Sequence, residues 1–195
     1  MLSLLFFLLS DRLLHGESSS SKHRANDDVY ISIVMVGRND DKRGDYVGRL
    51  QNSLDFFISQ ANQFSVRLEI IIVEWNPFPN MPRFHHLIRT LPDVDRAIPV
   101  RIYTIPREFH ESVRGDTGQD FFEFMAKNVG ARRARGEWVL LTNGDVILSD
   151  AVWRMLSAES LDRQTFYRMP RIELPGVMDP LAPLHRRFLC VYVPT

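Results

Sequence analysis

At 195 residues the chain is sized for one domain with room for a small appendage, and a domain of that length buries roughly 70% of the surface its unfolded chain exposes, so its core needs no staples. Lysine plus arginine and aspartate plus glutamate each total 24, which removes the basic stripe expected of a nucleic-acid partner. The single cysteine, Cys190, excludes an internal disulfide and a Cys-rich zinc site and says little about redox compartment.

Met1 to Ser10 (MLSLLFFLLS) is an apolar run followed by Asp11 and Arg12. It is too short to span a hydrocarbon core of ~30 Å as a helix. It has the length of a secretory h-region but lacks a basic n-region and a small-residue cleavage site. A buried helix or a misplaced start are the other readings. Membrane association through residues 1–14, and with it the secretory pathway or Golgi, follows if the run is a signal; otherwise a cytoplasmic location follows. Glu17 to Asp28 turns to Ser, Lys, His, Arg, Asn and Asp and reads as a linker, which predicts an N-terminal segment over 1–28 and a domain starting near Val29.

Val29 to Val36 is a continuous β-branched run ending at Gly37, the pattern of a strand buried on both faces in a parallel sheet. Val47, Leu50, Leu54, Phe57, Ala61 and Phe64 recur at spacings of three and four and predict a helix with one buried face. Val66 to Val73 is a second buried strand, stopped by Glu74-Trp75-Asn76-Pro77, and the three elements make a βαβ unit. Pro77 to Pro99 carries five prolines and reads as loop with a short helix near Phe84 to Leu91. Val100 to Ile105 is a third strand. Pro106 to Gly118 is polar without periodicity and is expected to be a loop over a site. Gln119 to Arg135 is a second helix with Phe122, Met125 and Val129 facing inward, ended by Gly136 in the left-handed conformation. Glu137 to Thr142 is a fourth strand, Ser149 caps a helix through Val152, Trp153 and Leu156, and Thr165 to Met169 is a candidate fifth strand. The alternation predicts an α/β fold with a mainly parallel sheet.

Ligands of such sheets bind beyond the carboxyl ends of the strands. The residues there are Gly37 to Asp41, Glu74 to Asn76, Pro106 to Glu108 and Asn143 to Asp145. No G-x-G-x-x-G follows the first strand and there is no P-loop, which argues against a dinucleotide oxidoreductase or an NTPase. An acidic turn holding Mg²⁺ or Mn²⁺ together with substrate phosphates is the remaining common device.

Several stretches resemble glycosyltransferase family 2. Ile31 to Val36 before a polar turn looks like its opening strand, and Glu69 to Glu74 like its second strand, closed by an acidic residue. Lys127 to Leu141 resembles its Asn-x-Gly helix, Ala-Arg-Gly exit and following strand, which brings Asn143-Gly144-Asp145 onto its Asp-x-Asp motif. The resemblance covers about residues 30–169. It implies a GT-A, Rossmann-like domain over 29–169, a sheet flanked by helices, and inverting transfer from a nucleoside-diphosphate sugar (UDP- or GDP-sugar) to an acceptor the sequence does not name. By the same resemblance Gly37 and Arg38 lie beside the nucleotide, Glu74 meets the base, and Asn128 and Arg132 face ribose or phosphates. Asp145, with Asn143, binds Mn²⁺ or Mg²⁺ as Lewis acid for the departing nucleotide.

Two departures stand out. Asn143 replaces the family's first Asp, leaving one carboxylate in the turn. The family's Glu-Asp segment, which carries the general base, and its Gln-x-x-Arg-Trp stretch have no match, and a positioned base contributes roughly 10²- to 10⁴-fold. Glu173 and Asp179 are the candidate bases, His185 is a candidate late metal ligand, and 170–195 is expected to be a tail with a truncated acceptor region. The missing base supports an alternative, a non-catalytic or truncated sugar-nucleotide-binding module; a nucleotidyltransferase is a third reading.

Structural readings stand beside these. Asn143-Gly144 between apolar runs is also a type I′ hairpin signal. Glu74 can be a solvated strand end, Asn128 a surface amide, and Arg132, Arg133 and Arg135 a solvated helix end complementing the macrodipole. His85-His86 are adjacent and on a helix point apart. Trp75, Trp138 and Trp153 read as core, and a buried Trp75 needs a partner for its Nε1–H.

Overall fold

The computed structural model describes residues 29–40, 44–89 and 98–169, together with the backbone course of 6–10. In chain order the elements are β1 (Phe6–Ser10), β2 (Ile31–Gly37), α1 (Tyr46–Gln63), β3 (Leu68–Trp75), α2 (Phe84–Leu87), β4 (Val100–Ile105), α3 (Arg107–Arg114), α4 (Glu123–Ala131), β5 (Trp138–Asn143), α5 (Asp150–Ser157) and β6 (Tyr167–Met169). They build one sheet in the order β4-β3-β2-β5-β1-β6. The four strands β4, β3, β2 and β5 are parallel, and β1 lies antiparallel between β5 and β6. The architecture is therefore α/β with a parallel sheet flanked by helices, compatible with a Rossmann-like arrangement.

Strand alternation sorts the apolar runs into two layers. Ile31, Ile33 and Met35 of β2, Ile70 and Ile72 of β3, and Trp138 and Leu140 of β5 face α1 and α5, where they meet Leu50, Leu54, Phe57, Trp153 and Leu156. Val34, Val36, Ile71, Val73, Trp75 and Val139 face the opposite layer with Ala126, Ala131 and Ala134. Both faces are covered, which is why these strands are unbroken hydrophobic runs. The α1 stripe read from spacing is the face that packs. Asp45, at φ 41°, caps α1 by accepting from the Gly48 amide at 3.0 Å.

Five expectations are corrected. The apolar N-terminal run is not a helix where it is described: Phe6–Ser10 is a strand inside the sheet. A five-residue apolar run carries no period that separates strand from helix, so only its partners decide. Pro106 to Gly118 is not a loop, because α3 occupies Arg107–Arg114. Its only buried residue is His110, which an apolar template does not register, and an Arg107–Glu111 pair at 2.5 Å bridges one turn.

Of the residues expected to face inward on helix α4, Phe122 and Val129 pack against the core but Met125 is exposed, and the buried positions are Ala126, Lys127, Gly130 and Ala131. A Cβ on Gly130 would stand 2.3 Å from Val34 Cγ1, so small residues set how closely this helix approaches the sheet. Gly136 does not end α4 in a left-handed conformation; the helix stops at Ala131 with Arg132 right-handed. Glycine is needed at 136 because a Cβ would lie 2.6 Å from Ser32 N and 2.8 Å from Ile31 C, both backbone atoms. Finally, Asn143-Gly144 makes no hairpin. Neither residue has positive φ, which a type I′ turn requires at both, and the chain runs on into α5. Ser149 is the N-cap of α5 by position, but its side chain makes no capping bond.

Candidate functional site

The carboxyl ends of β2 and β5 are neighbours, with Val36 level with Asn143. Gly37-Arg38-Asn39 and Gly144-Asp145 therefore leave the sheet side by side. The first turn of α1 sits across this junction. Tyr46 Oη donates to Val36 O at 3.0 Å and packs against Gly144, where a Cβ would stand 2.2 Å from it. Arg49, one turn further along, lies with Nε 3.6 Å from Asp145 Oδ2 and its guanidinium 5.7 Å from the Tyr46 ring centroid, and it also donates to Gly44 O.

Beyond β2, Arg38 is almost wholly buried. Its guanidinium lies 3.9 Å from the Phe78 ring centroid and donates to Asp120 O at 3.2 Å, while its Nε has no partner in the protein. Asn39 donates to Pro82 O at 3.1 Å and Asn76 to Asp120 O at 2.9 Å. Arg38 and Asn76 thus tie the segments after β2 and β3 to the approach to α4, and Asn39 ties the first of them to the chain before α2. Glu74 has no exposed surface: one oxygen accepts the Phe84 amide at 3.0 Å and the other Thr104 Oγ1 at 2.9 Å. Its carboxylate thus fastens the start of α2 to β4.

Burial, and secondarily the Asp145 charge, raise the Tyr46 phenol well above its ordinary value of 10.0; part of the ring is exposed, but the hydroxyl sits inside the fold. Tyr30 is raised in the same sense, chiefly by burial. An unfolded chain releases these protons near their ordinary value while the folded protein keeps them, so their contribution is intact below about pH 10 and is lost as pH rises beyond it. The urea midpoint is expected to fall between about pH 9 and about pH 11, and to fall less steeply in Tyr46→Phe. Equal slopes for the two proteins would count against it.

Other sequence candidates lie elsewhere. Helix α4 runs from the carboxyl edge, where Phe122 meets Trp75, towards the amino edge, where Arg135 N donates to Glu69 Oε1 at 2.7 Å. Asn128 is exposed along its length and accepts from Arg132 Nε at 3.1 Å; Arg132 follows the helix end, on the way to the amino edge. The fold thus brings Gly37, Arg38, Asn143 and Asp145 to one edge and leads Arg132 away from it. Glu173, Asp179, His185 and Cys190 lie outside the described residues. The His85 and His86 rings do not point apart; their centroids are 3.9 Å from each other. Among the described residues there is no group of three or more His, Cys, Asp or Glu side chains placed to hold a metal.

Trp75, Trp138 and Trp153 are all fully buried, and the partner of Trp75 Nε1 is His110 Nδ1 at 2.9 Å. That pairing, and the roles of Tyr46 and Arg49, were not singled out from the sequence. The available signal for Tyr46 was its position after Gly44-Asp45 at a helix start, close to the strand whose end it contacts.

The donors offered to a hard cation are the Asp145 carboxylate and the Asn143 amide. Asn143 Oδ1 is buried and accepts no hydrogen bond, and the Arg49–Asp145 contact at 3.6 Å is an ion pair without a direct hydrogen bond. Two such oxygens suit Mg²⁺ or Mn²⁺, which take one or two protein ligands and complete their shell with water and substrate phosphate. No protein-family model matches the chain, and no curated protein matches it in sequence.

Proposed function

We propose that the protein is an inverting glycosyltransferase of GT-A type that takes a UDP- or GDP-sugar. The observation that carries this reading is the adjacency of the Gly37-Arg38-Asn39 and Asn143-Gly144-Asp145 turns at the carboxyl edge of a four-stranded parallel sheet. That is where α/β sheets bind nucleotides. Asp145 and Asn143 would hold Mn²⁺ or Mg²⁺, which supplies Lewis-acid stabilisation to the departing nucleoside diphosphate. Arg38 and Phe78 offer a cationic and aromatic surface beside it. Arg49 stands against the carboxylate and would move to a phosphate once the cation occupies Asp145.

The Arg49–Asp145 pair also favours a second reading, a module that binds the sugar nucleotide without transferring it, because the only carboxylate of the turn already has a cationic partner. Calorimetric titration of UDP- and GDP-sugars into the full chain, with Mn²⁺ and with chelator, tests the shared part of both readings. Metal-dependent binding is expected in the wild type, and Asp145→Ala is expected to weaken it at least tenfold, since each 1.4 kcal/mol lost is a factor of ten. Absence of binding under every condition would refute both readings. Sugar transfer or donor hydrolysis by the binding protein would then select the enzyme.

A further inference from the structure

We propose that Tyr46 is the positioning residue of this site, setting the Asn143-Gly144-Asp145 turn against the end of β2. The inference rests on the functional reading above only for what the turn binds; the lock itself is a property of the chain. Gly37 ends β2 and Gly144 follows β5, and both side-chain spaces are filled by the same tyrosine. A Cβ on Gly37 would stand 1.8 Å from Tyr46 Oη, 2.3 Å from Cζ and 2.6 Å from Cε1. A Cβ on Gly144 would stand 2.2 Å from Oη, 2.9 Å from Leu50 Cδ1 and 3.1 Å from Cζ. Neither glycine has positive φ, so backbone freedom does not explain them and close approach does.

The hydroxyl bonds one turn and abuts the other. It donates to Val36 O, the last carbonyl before Gly37, and lies against Gly144, the residue before Asp145. The ring is held from behind by Phe84, with centroids 6.0 Å apart and planes 22° from parallel. Phe84 is in turn tied by its amide to the buried Glu74. Arg49 leaves the same helical turn to meet Asp145. Tyr46 thus transmits the position of α1, α2 and β3 to the one carboxylate of the turn. Metal and phosphate binding tolerate little displacement of such a group.

Tyr46→Phe keeps the ring and removes the hydrogen bond to Val36 O. In the ligand-free protein, amide hydrogen exchange in the turns around Gly37 and Gly144 is expected to quicken about fivefold, as loss of the Val36 O bond, worth about 1 kcal/mol, allows, while exchange in the core of β3 changes little. Unchanged exchange at Gly144 would overturn the proposal, and so would a uniform rise across all strands, which marks a merely structural residue. A second arm uses the geometry directly. The damage of Gly144→Ala should be relieved in part by Tyr46→Phe, because its closest clash is with Oη. That of Gly37→Ala should not, because the ring carbons still collide. Additive effects at Gly144 would also overturn the proposal.

In the titration with Mn²⁺ and a sugar nucleotide, Tyr46→Phe is expected to lower the metal-dependent affinity about tenfold without changing metal-independent binding. Retention of full metal dependence would refute the positioning role. If wild type binds no sugar nucleotide, the functional reading fails, and the exchange and suppressor results still judge the lock.

Discussion

Glu69→Ala is expected to lower the unfolding free energy by about 3–5 kcal/mol, the cost of breaking a buried pair so that the remaining groups are left uncompensated. Glu69 is 1% exposed at the amino edge of the sheet. One oxygen accepts Ser32 Oγ at 2.6 Å and the Arg135 amide at 2.7 Å; the other accepts the Arg101 guanidinium at 2.6 Å. The Ser32 hydroxyl oxygen then accepts the Gly136 amide at 2.8 Å, and Arg101 also donates to Arg133 O at 2.7 Å. Four segments, β2, β3, β4 and the exit from α4, therefore meet at one carboxylate. Its removal takes the carboxylate from the Arg101 guanidinium and the acceptor from the Ser32 hydroxyl, and leaves the Arg135 amide only its 3.2 Å bond to Ser32 Oγ. For a chain of this size the melting temperature should drop by about 10 °C. Glu159→Ala is the control: its pair with Arg67, at 2.8 Å, is partly exposed, and such pairs are worth about 1 kcal/mol or less. Similar losses in both variants would mean that burial gives the Glu69 network no special weight.

Deleting residues 1–28 is expected to destabilise the domain by about 4 kcal/mol or more, since each ladder hydrogen bond is worth about 1 kcal/mol net and β1 is paired on both sides. Phe7 to Ser10 lie opposite Leu141 to Trp138, and Phe6 to Leu8 opposite Met169 to Tyr167. Without β1 the β5 backbone becomes an open edge, which invites association between molecules, and β6 loses the strand it pairs with. Thermal unfolding together with size-exclusion chromatography measures both effects. A truncated protein as stable and as monodisperse as the full chain would show that β1 is not part of the stable sheet, which is the outcome a cleaved signal requires. The two readings of the apolar start are exclusive, because a segment that is removed cannot hold β5 and β6 together. For the same reason, binding experiments belong on the full chain.

The parallel core was readable because its strands are buried on both faces. Runs such as Ile33 to Val36 and Ile70 to Val73 have no polar side to present, and the α1 stripe has the helical period. Glycine positions were readable, but their reason was not. Gly136 looked like a helix terminator and is a point of backbone contact with Ser32 and Ile31; Gly37 and Gly144 looked like turn residues and are spaces filled by a tyrosine. On α4, Phe122 and Val129 pack inward as their spacing suggests, but Met125 is left exposed because the sheet selects Ala126 and Gly130 for size.

By itself the sequence determined the α/β class, the order of the parallel strands' βα units, the burial of all three tryptophans and the set of turns at the carboxyl edge. Those properties follow from local composition and period, which every residue carries wherever it ends up. Tertiary structure alone decided that Phe6–Ser10 enters the sheet, that Glu74 spends both oxygens inside the fold, that Asp145 meets Arg49, and that Tyr46 joins two strand ends. Each of these depends on groups far apart in the chain meeting at ångström range, and no local pattern encodes such a meeting until the sheet has brought its strands together.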